Sequence, residues 1–134
     1  AELAHWRWKF LIDSDGLREA QVVTEHTFFV ARFSGVELNL TAKPWSTLRA
    51  RWRDGSDYSA CQQLAAAVRT HTSPIIAAIR YESARRETVF CEAVFQVDAL
   101  SLPARREQQT WVCKTTRQLV MLSHDSEAFE YSFT

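Results

Sequence analysis

The breaker Thr72-Ser73-Pro74 stands between the clearest helical pattern of the chain and an apolar, β-branched run. That junction limits the possible folds more than any other feature. Residues 58–71 carry Leu64, Ala65 and Val68 on one helical face, with Ser56 or Asp57 in position to cap the start. Proline supplies no backbone N–H and clashes with the preceding turn, so the helix ends there. Residues 75–81 then read as a buried strand. A chain that changes from helix to buried strand at a sharp boundary mixes the two kinds of element.

The flanking segments fit that frame. Leu3, Trp6, Phe10 and Leu11 recur at helical spacing, so residues 1–12 read as a helix, ended by Asp13-Ser14-Asp15-Gly16. Residues 21–33 are rich in Val, Thr and Phe and read as a strand. Ser34-Gly35 is a turn signal, and residues 36–40 alternate, so residues 21–40 are expected to form a hairpin. Pro44 opens a loop or short helix that Arg53-Asp54-Gly55 closes. Residues 88–97, 110–116, 118–123 and 129–133 read as later strands. With helices early and strands dominating late, the expected class is α+β: a mixed, mainly antiparallel sheet with a few helices.

Length and composition exclude several classes. A chain of 134 residues with 46% hydrophobic and 24% charged residues is expected to be one domain that folds without a metal or disulfide staple. Its 16 basic and 16 acidic residues cancel, which argues against a polyanion binder. Basic clusters in residues 49–53, at Arg85-Arg86 and at Arg105-Arg106 read as solvated faces. Three scattered cysteines, Cys61, Cys91 and Cys113, suit a reducing cytoplasm rather than a disulfide framework. Neither a signal-peptide pattern nor an apolar run of about 20 residues is present, so a cytoplasmic protein away from the membrane is expected.

Few residues point to chemistry by themselves. The four histidines show no ligand spacing, so no metal is expected. With three glycines there is no glycine-rich phosphate loop, and no serine sits in a nucleophile elbow. Five tryptophans either line a stacking surface or fill the core, and their large area favours the core. Glu2 opens the first helix, where a carboxylate suits the helix dipole. Residues 80–86 place Tyr, Glu, Ser and two more Arg at the end of a buried strand. Such a strand end either holds a phosphate through charge-assisted hydrogen bonds or is an ordinary polar loop; both readings stand.

The run Ile79-Arg80-Tyr81-Glu82-Ser83-Ala84-Arg85 resembles the late hallmark of the RES-domain family, an apolar strand followed by Arg-Tyr-x-Ser-x-Arg. Ser83 matches the family serine. The opening Ala1-Glu2-Leu3-Ala4-His5-Trp6-Arg7-Trp8-Lys9-Phe10-Leu11 resembles the family helix headed by Ala-Glu, so Glu2 matches the family glutamate. In order there follow Leu38-Asn39-Leu40-Thr41 with Pro44, then Asp57-Tyr58-Ser59-Ala60-Cys61-Gln62-Gln63-Leu64-Ala65, then Gln108-Gln109-Thr110-Trp111 and the closing Phe129-Glu130-Tyr131-Ser132-Phe133. Two departures stand out. The family arginine belongs to a segment upstream of the glutamate, so residues 1–134 are expected to be a single RES domain lacking its N-terminal segment, and weak or inactive in isolation. The stretch after the serine, Arg86-Glu87-Thr88-Val89-Phe90, lacks the usual glycine.

The resemblance implies an ADP-ribosyltransferase-like fold. It also implies the toxin of a toxin–antitoxin system, which degrades NAD by cleaving the nicotinamide–ribose bond, as an NAD phosphorylase or a glycohydrolase-like enzyme. The alternatives are an ADP-ribosyltransferase acting on a protein target, a degenerate relative that only binds a partner, and an unrelated binding module. NAD is the implied substrate, with inorganic phosphate as co-substrate. Glu2 and Ser83 are the implied catalytic residues: Glu2 steadies an oxocarbenium-like transition state, and Ser83 binds NAD or the attacking phosphate. Arg85 is expected to hold a phosphate with Tyr81 packed nearby. The expected partner is a cognate antitoxin of the Xre, MbcA or ParS kind, through which alone the protein meets nucleic acid.

Overall fold

The computed structural model describes residues 1–13 and 21–133. In chain order the elements are α1 (Glu2–Asp13), β1 (Gln21–Phe28), β2 (Glu37–Asn39), a 3-10 turn (Trp45–Leu48) running into α2 (Arg49–Trp52), α3 (Ser59–Thr70), β3 (Ala78–Glu82), β4 (Phe90–Val94), two further 3-10 turns (Val97–Ala99 and Arg105–Glu107), β5 (Gln109–Thr116), β6 (Leu119–His124) and β7 (Glu127–Ser132). The class is α+β, with strands paired mostly antiparallel. The elements form two compact units, Ala1–Ala31 with Pro103–Thr134, and Arg32–Leu102. The expected end of the first helix at residues 14–16 lies outside the described residues.

In the first unit four strands pair antiparallel in the order β1-β5-β6-β7. The two-residue side-chain period of a strand makes this sheet legible. Trp111, Cys113 and Thr115 of β5 and Val120 and Leu122 of β6 are buried, and the pairs Cys113–Leu122 and Thr115–Val120 stand directly opposite each other. Helix α1 packs its buried Ala4 on this layer, with Leu3 and Trp8 beside it. The Trp8 ring lies 4.8 Å from that of Phe133 and nearly parallel to it, while its indole N–H donates to the Arg117 carbonyl at 2.9 Å. Trp111 is sandwiched among Phe28, His124 and Phe129 at 5.3–5.6 Å. The β6–β7 turn is tight, and Asp125 takes φ 50° there, a conformation that Asp tolerates better than most residues.

In the second unit β2 runs parallel to β3, and β4 antiparallel to it. Parallel neighbours need a long crossover, and the chain between β2 and β3 supplies it with α2 and α3. Leu40, Val68 and Ile79 are its buried centre, surrounded by Leu38, Trp45, Trp52, Leu64, Ile76, Tyr81 and Phe95. The Trp52 indole N–H donates to the Trp45 carbonyl at 2.9 Å, which fixes the short α2 turn.

Several expectations are corrected. Residues 21–40 do not form a hairpin: β1 pairs with β5, and β2 pairs with β3. The turn at Ser34-Gly35 is present, but its backbone bonds go to Ala99 and, through Val36, to Ala77. A Cβ on Gly35 would stand 2.9 Å from the Ala77 Cβ; the glycine therefore marks a close backbone approach rather than a hairpin turn. The strand after Pro74 starts at Ala78, because Ile75 bridges back to Thr72 and is 58% exposed. At the start of α3 the N-cap residue is Tyr58, and the Asp57 carboxylate accepts the Ser59 amide at 2.9 Å from one residue further back. That bond holds the Asp57 carboxyl below the usual carboxylate range. Four tryptophans pack in or against the two cores, whereas Trp6 is half exposed.

Candidate functional site

Strand β3 delivers the segment of interest. Ile79 and Tyr81 join the core of the second unit, which anchors the strand, and the chain leaves the sheet at Glu82 into a loop that returns at β4. Ser83 is fully buried, and its hydroxyl oxygen accepts the amides of Arg85 and Arg86, both at 3.1 Å. A serine hydroxyl that accepts amides two and three residues on sets up a side-chain-organised turn. The Ser83 amide donates to the Val89 carbonyl at 2.8 Å, closing the loop across its base. Thr88 near the far end has φ 60°, a rare conformation for a β-branched residue. Two side-chain acceptors hold this backbone: Ser83 binds the amides of Arg85 and Arg86, and Glu82 binds the Thr88 amide at 2.9 Å.

The loop aims Arg85 toward α3. Its guanidinium donates to the Tyr58 hydroxyl at 2.8 Å and lies across Gly55, where an added Cβ would stand 2.5 Å from Nη1. An arginine carries five N–H donors, so this bond orients the group and leaves capacity for an anion. Tyr81, Ser83 and Arg85 therefore belong to one strand end and its loop. Glu2 stands in the first unit, in the first turn of α1.

A second set of charges flanks the same loop; Arg49 and Arg51 are exposed, as expected of a solvated face, but Arg53 is not. Arg49 and Arg53, one helical turn apart, both reach the strand end. Arg49 grips Glu82 with two N–H groups, the Nη2 bond being 2.6 Å. Arg53 donates through Nε to the Ser83 carbonyl at 3.0 Å and through Nη1 to Glu87 at 3.2 Å, and its side chain is only 16% exposed. The Arg49 guanidinium, the Thr88 amide and the charge of Arg53 bring the Glu82 carboxyl down to about 2. The same Glu82 bond raises Arg49 above the ordinary arginine value. These residues border a cavity of about 310 Å³, whose wall includes Leu40, Trp52, Thr88 and Phe90. Arg80 lies over the Phe90 ring at 5.1 Å. Two arginines four residues apart were the only signal in the sequence for this feature; their carboxylate partners, Glu82 and Glu87, lie far along the chain beyond α3.

The RES-domain family model matches residues 1–116. The chain belongs to the RES-domain family. Within the match lie both the α1 helix headed by Glu2 and the strand-and-loop segment around Ser83. The RES-type match ends at the last residue of β5, so β6, β7 and the closing run at 129–133 lie beyond it. No curated protein matches the chain. RES domains are known from toxin–antitoxin settings. Among the described residues no helix is long and apolar enough to cross a membrane.

Proposed function

We propose that this RES-domain protein is the toxin of a toxin–antitoxin pair and degrades NAD, with inorganic phosphate as the acceptor. The observation that carries this reading is the Arg80-Tyr81-Glu82-Ser83-Ala84-Arg85 run within the family match, folded as a hydroxyl-anchored loop that presents Arg85. The bond between nicotinamide nitrogen and ribose C1′ breaks, and its electron pair leaves with neutral nicotinamide. Positive charge develops on the ribose as an oxocarbenium ion, and the Glu2 carboxylate stabilises it. A phosphate oxygen then bonds C1′, giving ADP-ribose 1-phosphate. Arg85 holds phosphate oxygens, with Tyr81 bracing the strand behind it. Ser83 contributes through the loop geometry that its two accepted bonds impose. A cognate antitoxin covers the active surface; the exposed Trp6 and Phe10 on the helix headed by Glu2 support a protein partner there.

The test is NAD consumption by the protein expressed from its full reading frame, with and without inorganic phosphate, and with products identified by mass spectrometry. Expected are nicotinamide and a phosphorylated ADP-ribose that forms only when phosphate is present. Ser83→Ala leaves two loop amides without an acceptor, lowers stability by about 1–3 kcal/mol and abolishes turnover. ADP-ribose on a protein target, with no phosphorylated product, would replace this reading by protein modification. No loss of NAD under any condition would leave a partner-binding relative without catalysis.

A further inference from the structure

The cavity beside α2 holds a charge arrangement that the NAD reading does not use. Three charged side chains line it, Arg49, Arg53 and Glu82, and a fourth, Glu87, pairs with both arginines. They are not held equally. Glu82 is only 11% exposed and accepts two bonds from Arg49 and one from the Thr88 amide, so it is a fixed part of the wall. Glu87 is 73% exposed, and it meets Arg53 at 3.2 Å and Arg49 at 3.7 Å. Exposed ion pairs of that kind are weak, because water screens them. One weakly held carboxylate therefore spans both guanidinium groups, in the position an anion would take.

We infer that Arg49 and Arg53 form the seat of a phosphomonoester carried on a planar ring, and that Glu87 fills this seat until the ligand displaces it. When Glu87 swings into solvent, the two arginines face one remaining carboxylate, Glu82, which leaves a net positive seat. A phosphate dianion brings more charge than Glu87 and accepts bidentate arginine bonds. Arg53 is already oriented by its bond to the Ser83 carbonyl, so little ordering is required of it. The apolar wall of Leu40, Trp52 and Phe90 offers flat aromatic surface for a ring. At about 310 Å³ the cavity stands at the lower end of the roughly 300–1,000 Å³ typical of ligand sites. That size suits a mononucleotide rather than a dinucleotide. This inference does not rest on NAD cleavage.

The experiment is calorimetric titration of the protein with AMP, adenosine and inorganic phosphate, with no NAD present. AMP is expected to bind, adenosine not measurably, and inorganic phosphate more weakly than AMP. Glu87→Gln removes the competing carboxylate at an exposed position that folding tolerates, and is expected to tighten AMP binding about threefold to tenfold. Arg49→Gln is expected to weaken it by about tenfold or more. Phe90→Ala is expected to weaken AMP and leave inorganic phosphate unchanged. No AMP binding at millimolar concentration, in either the native protein or Glu87→Gln, overturns the inference. So does a Glu87→Gln variant that binds AMP no more tightly than the native protein. Phosphate binding equal to that of AMP overturns the planar-ring part.

Discussion

Glu82 shows how one residue at the end of a strand acquires its properties from distant parts of the chain. Arg49 first, then the Thr88 amide, bring its carboxyl from the ordinary 4.5 down to about 2. A depressed carboxyl contributes stability that is fully present above its unfolded value and is lost as pH falls through its folded value. The stability difference between the native protein and Glu82→Gln is therefore expected to be constant above about pH 5 and to shrink between about 4.5 and 2. Denaturant midpoints measured across that range check this; a difference that shrinks only above pH 5 contradicts it. Gly55 offers a second test at this scale. A methyl group there would press on the Arg85 guanidinium, the mobile end of a long side chain, so Gly55→Ala is expected to change stability by less than about 1 kcal/mol. It displaces Arg85 from Tyr58, and KM for NAD is expected to rise by about tenfold with kcat little changed. An unaltered KM would mean that Arg85 does not hold the substrate.

At the scale of elements, legibility followed how local the determining interaction is. The alternation in β5 and β6 and the helical stripe of α3 reflect periodicity within a few residues, and they appear in the structure close to the expected bounds. The expected 21–40 hairpin failed because a turn signal reports a bend and not which strand receives the hydrogen bonds. Those bonds go to β5 for residues 21–28 and to β3 for residues 37–39, both remote in sequence. The site divides in the same way. The Arg-Tyr-x-Ser-x-Arg run was legible from family resemblance, and Ser83, Tyr81 and Arg85 share one strand end. The basic cluster of residues 49–53 gave no sign of its partners, because Glu82 and Glu87 are brought to Arg49 and Arg53 only by the β2–β3 crossover. Trp111 measures how far β5 carries the first unit's core: it is buried and touches three aromatic rings. Trp111→Ala is expected to cost about 3–5 kcal/mol in denaturant unfolding, and a loss below 1 kcal/mol would show that the cluster is not a core.

For the whole molecule, the balance of 16 acidic against 16 basic residues argues against direct binding to a polyanion. The proposed reaction breaks the nicotinamide–ribose bond with the help of the Glu2 carboxylate. The most direct measurement is the rate of nicotinamide release from NAD by the native protein and by Glu2→Gln, both made from the full reading frame and both checked for folding by circular dichroism. Release by the native protein is expected, and a fall in kcat of about 10²–10³-fold in the variant, with the fold intact. Equal rates in the two proteins, or no release by a folded native protein, would contradict it.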